Sequence, residues 1–259
     1  MRILFLNQAP RKGPNAKKPH YNVEKIEKLL NAYASPGTKV ELGFPDDFEG
    51  AQILETIGSQ SALNGLHHMM ETPAIVRKIF WAEQNGYDAV IQSNTFDPGV
   101  DGGRLAVNIP VIGLMRTALH FGLNLADRIG ITVPLATHVP YTWRIIRSYG
   151  LERFVTDIKP IGIYGNDIGG RKGEIFDIAV GLVRGLIAGG AEIILPLGGA
   201  LIPYVVDPAD IQKETGIQVL NTKSIGIRFA ESCVALGVTQ SLFTYPRPKL
   251  TYDDFVKGS

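Results

Sequence analysis

The feature that most constrains this chain is an alternation of period. Short apolar, β-branched runs are separated by longer stretches in which apolar residues recur at helical spacing. Strands joined in this way pair in parallel, because each crossover has room for a helix that covers one face of the sheet. The fold class predicted is therefore α/β, with parallel sheets flanked by helices. Strands are predicted at 2–7, 39–44, 89–92, 111–114, 128–133, 158–163, 192–197 and 218–220. A helix is predicted over 23–33, where Val23, Ile26, Leu29 and Leu30 share a face. Another is predicted over 172–188, after a Gly-Gly turn, and a last one over 225–236. Gly37, Gly86, Gly150 and Gly190 stand where helices should stop.

A weak internal repeat runs through this pattern. Gly86 to Asn94, a loop, then Ile109-Pro110-Val111-Ile112-Gly113 parallels Gly190 to Gly198, a loop, then Ile217-Gln218-Val219-Leu220-Asn221. Each copy reads as helix end, strand, polar loop, strand, helix. Two such copies imply two similar lobes about a pseudo-twofold axis, with their strand-end loops facing one cleft. The lobe boundary is expected near Leu114, and the chain is expected to cross back near Leu220. The first lobe would hold residues 1–114 plus 221–259, and the second residues 115–220.

Composition narrows the function. Twenty-six basic residues against 25 acidic leave a net charge of +1, so no overall field favours nucleic acid or an anionic membrane. The apolar opening is interrupted by charge and no run reaches a membrane span. The expectation is a cytoplasmic protein with a small-molecule substrate, no nucleic-acid or membrane partner, and a homo-oligomeric state compatible with the exposed helices of such lobes. Neither a Walker A motif nor a G-x-G-x-x-G after the first strand is present, and no organic cofactor is expected. One cysteine, Cys233, excludes an internal disulfide and a cysteine-rich zinc cluster. It lies in a predicted helix and reads as a packed apolar thiol.

The loops carry a family likeness. Asn94-Thr95-Phe96-Asp97-Pro98-Gly99 is followed by Pro110-Val111-Ile112-Gly113 in the first copy. The second copy has Gly190-Ala191-Glu192, an aliphatic strand, then Leu197-Gly198-Gly199, and the chain opens Ile3-Leu4-Phe5-Leu6-Asn7-Gln8. In this the sequence resembles the aspartate/glutamate/hydantoin racemase superfamily, especially its hydantoin racemase-like members, from the first strand to the last helix. The resemblance implies one cleft between the lobes with a thiol on each side of the substrate. One thiolate removes the α-proton and the opposite thiol delivers another.

Here both thiols are missing. Asn94 stands at the first position. The second falls at Gly198 counted from Glu192, or at Gly199 counted from Leu-Gly. An amide takes up no proton near neutral pH, and glycine has no side chain. A two-thiol racemase is not expected, nor is the one-thiol decarboxylase of the superfamily. The small-residue loops still expose backbone N–H groups that suit a carboxylate or an oxyanion. Asn94, Thr95, Gly198, Gly199 and Ala200, with Asn7 at the end of the first strand, are therefore the expected substrate-binding residues.

Acid/base candidates come from a short list. Of five histidines, His68 and His138 are the ones placed to act, together with Asp97. His67 and His68 are neighbours in a loop or short helix before Pro73, so at most one should face a site, whereas His120 reads as structural. A divalent metal on His67, His68 and Asp97 would replace the thiols by activating water, although no H-x-x-x-H or H-E-x-x-H spacing supports it. Asp97 also suits a turn before Pro98, and Asp101 reads as the N-cap of a helix over 102–107. Arg104, Arg116 and Lys223 are potential carboxylate partners. The glycine-rich stretch from Gly162 to Gly170 should form a loop over the second lobe, and the tail from Tyr245 to Lys249 should be extended.

The leading expectation is a redox-neutral enzyme acting on a hydantoin-like ring or small carboxylate, as a hydrolase or lyase. A racemase or isomerase with non-thiol acid/base groups, and a catalytically inactive small-molecule binding protein, remain as alternatives.

Overall fold

The computed structural model describes residues 1–11, 22–56, 65–249 and 253–254; His20 lies outside them. Two parallel sheets form two lobes. The first has strand order β2-β1-β3-β4, made of β1 (Arg2–Leu6), β2 (Lys39–Gly43), β3 (Ala89–Gln92) and β4 (Val111–Gly113). The second has order β6-β5-β7, from β5 (Ile129–Val133), β6 (Val155–Pro160) and β7 (Ile193–Pro196). The helices are α1 (Val23–Tyr33), α2 (Leu66–Gln84), α3 (Val100–Ala106), α4 (Leu114–Leu123), α5 (His138–Ser148), α6 (Lys172–Ala188), α7 (Pro208–Thr215) and α8 (Thr222–Leu236).

Side-chain alternation along β1 shows why the first sheet is covered on both faces. Leu4 and Leu6 pack with Ile75, Ile79, Val90 and Val111 under α2 and α3. Ile3 and Phe5 point the other way, into a core with Ile26, Leu30, Ile91 and Ile227 under α1 and α8. A strand buried on both faces must be apolar at every position, which explains the unbroken Ile-Leu-Phe-Leu run. The second sheet repeats the scheme. Ile129, Ile131, Val133 and Leu195 face a core with Met115, Leu119 and Ile146, while Ile194 faces Ile175, Ala179 and Val183 of α6.

The two lobes exchange helices. From the end of β4, α4 carries Met115, Ala118 and Leu119 into the core of the second sheet. In return α8, entered from beside β7, packs on the first with Ile227 and Ala230. The two helices cross closely at Gly226, where a Cβ would collide with Leu114. This crossing places the loops after β3 and β7 opposite each other.

Several local expectations are corrected. Residues 218–220 form only a single parallel bridge, Ile194 to Val219, rather than a strand. The sixth strand begins at Val155, directly after a 3-10 turn over Glu152–Phe154, and stops at Pro160. His67 and His68 lie in a 19-residue helix that runs through Pro73, not in a short segment before it. Gly99 (φ 74°) is the N-cap of α3, so Asp101 sits in its first turn, 3.4 Å from Arg104. No helix among the described residues is long and apolar enough to cross a membrane. The tail binds the first lobe: the Tyr245 hydroxyl lies 3.1 Å from the Asp101 carboxylate, and the Arg247 Nε donates to Asn108 at 3.0 Å.

Candidate active site

The first strand ends at Leu6 because Asn7 turns its own chain: its Oδ1 accepts from the N–H groups of Gln8 (2.7 Å) and Ala9 (3.3 Å). The loop after β3 closes in the same way, with Asn94 Oδ1 accepting from Phe96 N–H at 2.8 Å. Such Asx turns hold short polar side chains at strand ends, where α/β proteins bind ligands. Opposite, Gly198 N–H donates to Thr95 Oγ1 at 2.6 Å in a buried contact between the lobes. Asn7, Asn94, Thr95, Gly198, Gly199 and Ala200 all line one cavity between the lobes, together with Tyr164, Tyr204 and Lys223. Its volume is about 150 Å³, well below the range of pockets for drug-sized ligands, so it suits a small ring or short acid.

Three backbone N–H groups on this cavity, those of Thr95, Gly199 and Ala200, have no acceptor among the described residues. Unpaired N–H groups beside a cleft suit a carboxylate or a developing oxyanion.

The two glycines of the second loop differ. Gly198 has φ 87°, and a Cβ on it would run into the ring of Pro134. Gly198→Ala should therefore cost about 2–4 kcal/mol, from a left-handed backbone and overpacking together, readable as a lowered denaturant midpoint. Gly199 is blocked differently. A Cβ there meets only the Nζ and Cε of Lys223. The space beside Gly199 is thus filled by the amine of a lysine reaching in from α8.

Lys223 is 1% exposed. Asn221 caps the helix, accepting from Lys223 N–H (3.1 Å) and Ser224 N–H (3.2 Å), which points the lysine stem back toward the cleft. Its Nζ donates to Ser93 carbonyl and lies 5.5 Å from the Phe5 ring and 5.6 Å from the Tyr204 ring. No carboxylate forms a salt bridge with it among the described residues. Burial pushes its ammonium down to about 7, with the nearby Asp97 charge opposing. The sequence reading named Lys223 only as a carboxylate partner. A signal was present: a lysine in the first turn of a helix stands at the end where the helix dipole disfavours a cation.

Asp97 takes a different place from the one expected. Its carboxylate caps α4, accepting from Met115 and Arg116 N–H groups at 3.0 Å each, and it does not line the cavity. Burial raises its pKa to about 6 against the pull of those N–H bonds.

The histidines gather behind the cleft wall. His67 and His68 are both buried, with ring centroids 3.8 Å apart, so the adjacent pair does not split between site and solvent. Phe96 lines the cavity on one side and packs on His68 (5.5 Å) and His138 (5.1 Å) on the other. Glu71, not foreseen from sequence, is fully buried with its Oε1 2.8 Å from His68 Nδ1. Burial drives the Glu71 carboxyl well up and the His68 imidazole down, each away from its charged form. Burial likewise lowers His67 and His138 to about 4. Among the described residues no group of three or more His, Cys, Asp or Glu side chains is placed to hold a metal ion. His67 and His68 lie in the layer behind Phe96, and Asp97 is committed to α4.

The sequence profile described as Asp/Glu/Hydantoin racemase matches residues 21–230. The chain is 28% identical over 206 residues to hydantoin racemase of Pseudomonas sp. (strain NS671), covering 78% of this chain and 81% of that protein. Its fold matches allantoin racemase from Pseudomonas fluorescens with a TM-score of 0.80 at 22% identity, over 97% of this chain and 98% of the other. Allantoin racemase from Klebsiella pneumoniae gives 0.79 at 19% identity, over 97% and 95%.

Proposed function

Because the chain belongs to the Asp/Glu/hydantoin racemase family, we propose that it is an isomerase-type enzyme that moves a proton at a carbon next to a carbonyl, with Lys223 as its acid/base group. The substrate class is a hydantoin-like ring, as the names of the hydantoin and allantoin racemases suggest, or a small carboxylate. One observation carries this reading: the buried Lys223 amine lies against Gly199 on the cleft wall.

The chemistry follows from two requirements. An α-proton leaves readily only if a base titrating near the working pH is at hand and the charge left on oxygen is held. The lysine meets the first, since an amine titrating near 7 is substantially neutral at physiological pH. The N–H groups of Thr95, Gly199 and Ala200 meet the second. The racemase alternative thereby replaces the hydrolase or lyase expectation, which leaned on metal-activated water and a ligand set that the described residues do not assemble.

On the opposite wall Asn94 offers an amide, which orients but does not transfer protons. Isomerisation by Lys223 alone therefore requires the planar substrate to turn over in the cleft before the proton returns, which makes it slower than exchange. In D2O, 5-substituted hydantoins or allantoin should take up deuterium at the α-carbon faster than optical rotation decays, both corrected for the enzyme-free rate. Proton NMR and polarimetry on one sample check this. Mass change by ring opening, with no exchange, would sink the isomerase reading.

A further inference from the structure

We propose that Lys223 is also a nucleophile, and that the cleft captures 2-oxo acids as a reversible imine that takes the base out of action. The inference rests on the reading that a small carboxylate or carbonyl compound binds beside Lys223. Lys223 lines the cavity, and its amine forms no salt bridge and donates one hydrogen bond among the described residues, to the Ser93 carbonyl. Lys223 is buried, and burial desolvates the ammonium, a setting in which a lysine holds its lone pair available for carbonyl addition.

The ligand class follows from the N–H groups next to that amine. Gly199, whose Cβ position the amine occupies, contributes one of the three unpaired N–H groups, with Ala200 beside it and Thr95 across the cleft. A carboxylate held there puts an adjacent ketone or aldehyde carbon one bond away from it, within reach of Nζ. The small cavity favours the shortest members, such as glyoxylate and pyruvate.

The step balances without an added redox partner. The Nζ lone pair forms a C–N bond as the carbonyl π pair moves to oxygen, and a proton from nitrogen passes to that oxygen to give a carbinolamine. Loss of water from carbon and nitrogen gives the imine, and hydrolysis reverses it. While the imine stands, Lys223 is no longer a free amine and the bound acid fills the cleft, so no α-proton is taken from another substrate.

The test is reductive trapping of the full chain at pH 7 with glyoxylate and cyanoborohydride, followed by peptide mass mapping. The expected result is a single carboxymethyl addition on Lys223, saturable in glyoxylate and absent in Lys223→Met and Lys223→Arg, whose folding is checked by thermal melting. Acetaldehyde, which lacks the carboxylate, should label Lys223 roughly ten-fold more slowly, the worth of one charge-assisted hydrogen bond. Labelling of Lys223 no faster than of surface lysines would overturn the proposal, as would equal labelling by acetaldehyde. Deuterium exchange measured in parallel separates the two readings. Exchange without trapping removes only the imine, and trapping without exchange removes only the proton-transfer function.

Discussion

Lys223→Met is expected to lower α-deuterium exchange by roughly 10²–10⁴-fold, the usual worth of a general base, while making the protein more stable. The second effect separates a functional lysine from a structural one. Lys223 is buried, without a salt bridge among the described residues, and methionine has nearly the same length without the charge. Replacing a buried charge by a packed apolar side chain stabilises by about 1–4 kcal/mol in comparable cases.

The gain has a definite pH dependence. The folded-state pKa of about 7 lies below the ordinary 10.5. Below pH 7 the lysine is charged both folded and unfolded, and the full cost of burying the ammonium is felt. Between 7 and 10.5 the folded form is neutral while the unfolded form still binds a proton, so wild-type stability rises by about 1.4 kcal/mol per pH unit. Denaturant titrations at pH 6 and pH 10 should therefore show the variant's advantage at pH 6 and little of it at pH 10. A variant that is less stable at both would mean that the lysine holds the cleft together rather than serving it.

The second large effect is acid sensitivity centred on the histidine layer. His67, His68 and His138 all have folded pKa values depressed below 6.5 by burial, so their contribution is intact above 6.5 and is lost as pH falls. Glu71 and Asp97 act oppositely, because their raised values make the folded state bind protons that the unfolded state releases. Three imidazoles against two carboxyls leave acid sensitivity on the side of the histidines. His67→Leu tests the sign. The His67 Nδ1 has no partner, so leucine forfeits no bond there and should flatten the slope by one group. Its stability at pH 5 relative to wild type should improve by about 2 kcal/mol over that at pH 7. A slope unchanged in this variant would show that His67 does not stay neutral in the folded state.

The fold was legible because it rests on period. The runs at residues 3–6, 89–91 and 193–197 are apolar on both faces and bounded by glycine, polar or charged residues, as a buried parallel strand requires. The cleft was legible too, because the repeat set the two strand-end loops opposite each other, and the residues named there share one cavity. What failed was chemistry that depends on tertiary reach. Lys223 lies 24 positions beyond Gly199, and nothing local says that its stem folds back against that glycine. Asp97 looked catalytic beside Asn94 because sequence does not show that α4 starts at its carboxylate. His67 and His68 looked like alternatives, since the fully buried Glu71 and the screen formed by Phe96 exist only after the lobes pack.

The state of the Lys223 amine can be read without a substrate. Carbon-13 labelling of lysine side chains, with NMR titration of the ε-carbons from pH 5 to 11, assigns Lys223 as the resonance missing from Lys223→Met. The prediction is a single lysine with a midpoint near 7. A midpoint for Lys223 near 10.5, with the other lysines, would contradict the claim that this residue stands in for the lost thiol.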